Sequence, residues 1–159
     1  MASTLQLLSF TLGHQRYALR LAAVDRVAQV VEIVPLPGAP DIVLGVIDVQ
    51  GCIIPVVDTR KRFGLAARRM TLAEHLIIAH TPRRPVALLV DRVGDTLDCA
   101  EVDVIAASEI LPGLDHLHGV AKQPDGTILI HDLAAFLSLD EEARLDAAVA
   151  AAEEGTHAV

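Results

Sequence analysis

Short apolar runs, each cut off by glycine, proline or a polar pair, constrain this chain more than any other feature. The runs "LLSFTL", "RYALRL", "VLGVIDV", "CIIPVV", "HLIIAH", "PVALLV" and "TILIHD" are each too short for a typical helix and rich in residues that suit strands. In the first, Leu8, Phe10 and Leu12 fall on one face and Ser9 and Thr11 on the other, the period-two pattern of a half-buried strand. Tyr17, Leu19 and Leu21 repeat it after the turn "GHQ", giving a hairpin with a three-residue loop. The whole chain reads as about ten short strands at roughly 8–12-residue spacing, which favours compact β-barrels over a βαβ sheet. No internal repeat stands out.

Helix is expected mainly at the end. Asp132 can cap "LAAFL", and Ser138 with Glu141 has capping-box spacing before the alanine-rich "EARLDAAVAAAEE". A C-terminal helix over 138–154 follows. "AAVDRV" suggests a short helical turn, and "TRKRFGL" one turn closed by Gly64. Residues 66–74 read as a polar loop. Pro55 cannot donate to a ladder, so an edge strand or bulge is expected there. "QPDG" suits a tight turn between "HLHGVAK" and "TILIHD".

With 52% hydrophobic residues, 159 residues suffice for a substantial core, one domain or two interlocked small ones. A net charge of −8 and few aromatics argue against nucleic-acid binding, which needs a basic face and stacking rings. Two cysteines, Cys52 and Cys99, imply no disulfide framework and fit a reducing cytoplasm. The N-terminus lacks the basic and apolar regions of a signal peptide, and Asp48 and Gln50 interrupt the longest apolar stretch. The basic cluster Arg60, Lys61, Arg62, Arg68 and Arg69 is either a solvated turn or a docking patch for an acidic partner.

Chemistry finds little purchase. Asp58-Thr59 has the start of the Asp-Thr-Gly loop of pepsin-like proteases, but Arg60 takes the small residue's place, and a cap for the turn at 59–63 explains Asp58 better. His116 and His118 share a strand face and His131 lies on the facing strand, so a three-imidazole metal site is conceivable, without a further ligand of recognisable spacing. Nucleophile elbows, Walker loops and dinucleotide glycine motifs are absent from the sequence. The expectation is no catalytic residue, no metal and no cofactor.

Three blocks together resemble one family. "LLSFTLGHQRYALRLAAVDRV", then "PGAPDIVLGVIDVQGCIIPVVDTRKRFGL", then "ALLVDRVGDTLD" are similar in order and spacing to CheW, the coupling protein of bacterial chemosensory arrays. The likeness runs from about residue 5 to about residue 145 and is most specific at Gly-x-Ile-x-Pro-Val-x-Asp-x-Arg, residues 51–60. The resemblance implies a mainly β fold of two five-stranded SH3-like barrels packed together, in a single CheW-like domain over 1–159. It implies a cytoplasmic, non-catalytic adaptor recruited to membrane receptor arrays. The partners would be a CheA-type histidine kinase and the cytoplasmic tips of methyl-accepting chemoreceptors, with neither nucleic acid nor membrane insertion.

By matched position, a groove between the barrels would be lined by Val24, Val27, Gly45, Ile53, Ala87 and Val93, with Gly45 letting a partner helix approach closely. The family's usual Asn-x-Arg-Gly is here Asp48-Val49-Gln50-Gly51, and Arg26 stands where members often carry an acid. Gln50 and Arg26 therefore join the expected binding residues as places where the partner's charges would differ. Divergent, auxiliary and twitching-motility relatives stay open, as do a module detached from a larger kinase and a small Asp- or metal-dependent hydrolase.

Overall fold

The computed structural model describes residues 4–29, 32–65, 74–106, 117–123, 126–133 and 137–157. Eleven strands run through them: β1 (Thr4–Leu12), β2 (Gln15–Arg20), β3 (Val24–Gln29), β4 (Val43–Val49), β5 (Cys52–Val57), β6 (His75–His80), β7 (Pro85–Val90), β8 (Arg92–Ala100), β9 (Val104–Ala106), β10 (Leu117–Gln123) and β11 (Gly126–His131). Two helices accompany them, α1 (Thr59–Arg62) and α2 (Leu139–His157), with 3-10 turns at Leu21–Ala23 and Glu101–Asp103. The strands form a six-stranded sheet, β8-β1-β2-β11-β10-β9, and a five-stranded sheet, β3-β6-β7-β5-β4. The expectation was five and five; the sixth strand arises because the 3-10 turn at Glu101–Asp103 divides one run into β8 and β9.

That division forces the first sheet to curl. β8 and β9 sit at opposite edges, yet only Glu101–Asp103 separate them in sequence. Laid flat, six strands would hold their edges about 24 Å apart, whereas the link reaches at most about 14 Å. In the second sheet, the chain leaving edge strand β3 returns to the far edge. Val34 N donates to Val46 O at 2.9 Å and Val46 N to Val34 O at 2.8 Å, beside β4.

The two sheets are built alike, which the sequence did not disclose. In the first, β1 and β2 are an antiparallel hairpin, β2 lies parallel to β11, and β10 pairs antiparallel with β11. In the second, β6 and β7 play the first role, β7 lies parallel to β5, and β4–β5 is the matching hairpin. Each half of the chain hands a strand to the other sheet: β3 follows β2 across, and β8 follows β7. The halves are thus interlocked, so neither sheet is complete without a strand from the other half.

Exchange of strands buries both faces. β6 sends Leu76 and Ile78 into the interior of the second sheet and Ile77 and Ala79 into the core between sheets. β7 does the same with Ala87 against Val86, Leu88 and Val90. Strands covered on two sides need continuous apolar sequence, which is why "HLIIAH" and "PVALLV" lack alternation. β1 also departs from the half-buried pattern. Leu5 and Leu7 fill the first sheet's interior, while Leu8, Phe10 and Leu12 join the shared core with Tyr17 and Leu19. Ser9 is buried as well, its hydroxyl satisfied by donating to Asp95 O at 2.9 Å.

Local signals mostly behave as their chemistry predicts. Gly13 and His14 make the first hairpin loop two residues long, since Leu12 pairs with Gln15. The three-residue expectation counted Gln15 in the turn. Asp58 caps α1, its Oδ1 accepting from Lys61 N at 3.1 Å, and Gly64 closes the turn at φ +73°. The capping box before α2 forms: Glu141 N donates to Ser138 Oγ at 3.1 Å, and Ser138 N to Glu141 Oε1 at 2.9 Å. Pro55 is not on an edge strand; β5 lies between β7 and β4, and its parallel pairing with β7 begins at the next residue, Val56. Residues 134–136 of the capped segment after Asp132 and the loop at 66–73 lie outside the described residues.

Candidate binding surface

The seam between the sheets is filled rather than open. Sixteen buried residues meet there, from β1, β2, β6 and β7 to Leu145 of α2. This decides the fate of the expected groove lining. Val24 on β3 and Val93 on β8 are partly buried and pack against that core. Ala87 is wholly buried, enclosed with Ile47, Ile54, Val56, Leu76 and Ile78 inside the second sheet, so it cannot meet a partner.

Gly45 is enclosed in a different way. The close approach its bare Cα permits is made by its own chain. A Cβ there would lie 2.3 Å from the carbonyl oxygen of Val34 and 2.9 Å from Ile33 Cγ2. The glycine is needed to let the closing segment pass over β4, and no space remains above it for a partner helix.

Four of the eight expected residues do reach solvent. Arg26 is exposed on edge strand β3 beside Val27, which is 41% exposed. Ile53, at the start of β5, is 54% exposed opposite Asp48. Gln50 is exposed in the β4–β5 turn at φ +53°, followed by Gly51 at φ +84°, and Asp48 Oδ1 accepts from Gly51 N at 2.8 Å. Two consecutive positive φ values suit the right-handed twist of a hairpin, and Gly51 supplies the second without strain. Val34, Leu44 and Ile105 are exposed apolar residues that strand patterning missed. They follow the closing edges, which become visible only once the sheets are assembled.

The basic cluster turns inward. Arg60 pairs with Asp91, its Nε donating to Oδ1 at 3.2 Å; that hydrogen bond raises the already high pKa of its guanidinium. Asp91 Oδ2 also accepts from Gly13 N at 2.7 Å, so one carboxylate ties α1 to the first hairpin. One nitrogen of Arg62 donates to both oxygens of Glu141, 2.6 Å each. Lys61 is exposed, near Asp41 O at 3.4 Å. Arg68 and Arg69 lie outside the described residues.

His118 and His131 line one cavity of about 300 Å³ with His80, Arg20 and Asp132, at the end of the seam. His131 is buried and stacked on Phe63, centroids 3.8 Å apart and planes 14° apart, with Tyr17 at 5.2 Å. Burial pushes the Tyr17 phenol up, with Arg60 opposing. The ring that sequence offered as a metal ligand thus serves as part of an aromatic stack. His116, the third imidazole of that reading, lies outside the described residues, and among these no cluster of three His, Cys, Asp or Glu is placed to hold a metal. Asp58 is engaged as a helix cap, so the alternative of a catalytic aspartate finds no support in its surroundings.

Comparison with known proteins agrees with this architecture. The CheW-like domain model matches residues 6–141. A chemotaxis protein CheW of Rhizobium meliloti is 34% identical over 105 residues, covering 66% of this chain and 68% of that protein. A chemotaxis protein CheW of Treponema pallidum is 27% identical over 148 residues, covering 88% and 86%. Among solved structures, the scaffolding protein TtCheW of Thermoanaerobacter tengcongensis superposes with a TM-score of 0.79 at 27% identity, over 89% of this chain and 96% of that one. With paired curled sheets, interlocked halves and a family match over most of its length, the chain belongs to the CheW-like domain family.

Proposed function

We propose that this protein is a non-catalytic adaptor that couples chemoreceptors to a CheA-type histidine kinase in bacterial chemosensory signalling. The match of the CheW-like domain model across residues 6–141 carries the reading. The fold supports it: Asp58 serves as a helix cap and His131 as part of an aromatic stack. No described helix is long and apolar enough to cross a membrane.

The contact surface we favour is the solvent-facing part of the second sheet, with Val27 and Arg26 on β3 and Ile53 and Gln50 at the β4–β5 end. Exposed aliphatic side chains on rigid strands suit the apolar ridge of a helical receptor tip, and each carries little cost when idle. Arg26 and Gln50 would set partner choice through charge. With Asp48 before Gln50 and Arg26 exposed, the partner pair would have its charges rearranged relative to the usual family pattern, which favours a divergent or auxiliary coupling protein.

Reconstitution tests this. Receptor-bearing membranes, a CheA-type kinase and the protein should sediment together and raise kinase activity. Val27→Asp and Ile53→Asp should each weaken co-sedimentation by about tenfold, the loss of roughly 1.4 kcal/mol, with unchanged thermal midpoints. Failure of the wild-type protein to couple receptor and kinase would overturn the adaptor reading; undiminished binding by both folded variants would overturn this surface alone.

A further inference from the structure

Helix α2 is held to the sheets by a small apolar contact and by ion pairs. Among its described side chains, Leu145 and Ala148 bury apolar groups and Val149 packs at the margin. Against these few contacts stand three ion pairs. Arg62 grips Glu141, and Arg84, in the β6–β7 turn, pairs with both Glu142, at 3.0 Å, and Asp146. The two guanidiniums flank a seat made by the margin of the shared core and the 36–39 loop, whose backbone at Gly38 runs close beneath Ala148.

Neither sheet's ladder includes this helix. The Arg84–Asp146 pair, with Asp146 exposed, is screened by salt, whereas Arg84–Glu142 is largely buried and holds the helix more firmly. Leucine and alanine content keeps the segment helical by its own propensity, so docking and folding need not coincide. What departure would uncover is an apolar seat between two arginines. The occupant in place shows what chemistry the seat accepts: a leucine and an alanine three apart, with carboxylates three before and one after the leucine.

We propose that α2 is an exchangeable cover, and that the seat beneath it is a docking surface for an acidic amphipathic helix of a partner protein bearing that same pattern. Matched apolar and anionic groups favour this occupant over a basic or purely apolar one. The proposal is separate from the Val27–Ile53 surface and does not depend on which kinase or receptor is coupled.

The probe is a fluorescein-labelled synthetic peptide copying residues 139–157, titrated into the full-length protein at about 50 mM salt, where charge pairing is weakly screened. Glu142→Gln with Asp146→Asn loosens the internal helix and leaves both arginines in place. This variant should bind the peptide at least about tenfold more tightly than the wild type does, because the internal competitor is weakened. Adding Arg62→Ala and Arg84→Ala should reverse the gain, and a peptide with aspartate at the leucine matching Leu145 should not bind. Equal affinity for wild-type and loosened protein, or binding by the aspartate peptide, would overturn the proposal. Hydrogen exchange on the wild-type chain gives a second decision that needs no variant. Raised salt should speed exchange of α2 amides while β6 and β7 keep their protection; α2 exchanging no faster than β6 at any salt concentration would show a fixed helix and refute an exchangeable cover.

Discussion

The hairpins β4–β5 and β10–β11 solve one problem twice. Each opens on a register shift, between Val43 and Gly45 in one and between Leu117 and Gly119 in the other. Each places a glycine-valine pair there, and an aspartate follows at the same distance, Asp58 or Asp132. Against each glycine lies the backbone of the segment paired to that hairpin's outer strand. What differs is the closure: β9 makes three residue pairs with β10, whereas the segment at Val34 makes a single bridge to β4. The continuations differ too. After β5 comes capped α1, with its arginines engaged across the molecule; β11 ends in His131 stacked on Phe63. A duplicated frame thus carries two unlike ends, and the loosely closed one lies with the exposed apolar residues Val34 and Leu44.

The most damaging way to probe that equivalence is to fill both glycines. A Cβ at Gly45 would stand 2.3 Å from Val34 O, and one at Gly119 would stand 2.6 Å from Ile105 O. Neither backbone can swing aside as a side-chain tip does. Gly45→Ala and Gly119→Ala should each cost about 3 kcal/mol or more in urea unfolding, the upper range for overpacking. The singly bridged closure has fewer hydrogen bonds resisting displacement, so Gly45→Ala should open its sheet locally, seen as faster amide exchange at Val46. Gly119→Ala should instead act on the whole fold. Two neutral substitutions would mean that the glycines do not mark equivalent crossings.

These glycines also show where sequence stops being readable. The strands, the caps at Asp58 and Ser138 and the final helix were legible because each depends on neighbours a few residues away. Gly45 and Gly119 depend on Val34 and Ile105, which only assembled sheets bring near. For the same reason, Ala87 read as surface and proved to be core, and Arg60 and Arg62 read as a possible patch before Asp91 and Glu141 were seen to face them. Of the expected contact residues, Val27, Arg26, Gln50 and Ile53 kept their exposure because they sit on an edge strand or at the turn end of a hairpin.

The unlike continuations should also differ in their response to acid. Burial alone would raise the pKa of Glu141, but the Ser138 backbone N–H and Arg62 together outweigh it, and the net shift is downward. A folded-state value below the unfolded one, near 4.3, means that the contribution is fully present at higher pH. It fades as pH falls from about 4.3 through the folded-state value. Glu141→Gln should lower stability by about 1 kcal/mol at pH 7. The gap between variant and wild type should close in acid. A gap constant from pH 7 to 3 would show that the carboxylate charge contributes nothing to holding α2 on the α1 side.

The smallest effect belongs to the turn. Gln50 occupies a left-handed conformation at φ +53° that glutamine adopts at some cost, and its side chain is exposed. Gln50→Asn should therefore stabilise the hairpin by about 0.5 kcal/mol, since asparagine tolerates that region better. Gln50→Arg keeps the same backbone cost and should leave stability within about 0.5 kcal/mol of wild type. Its influence should appear in partner choice, because it would place a cation beside Asp48. A fall of many degrees in the midpoint of Gln50→Arg would mean that the turn is packed rather than presented. The β4–β5 end would then be scaffold, and recognition would have to rest on β3 alone.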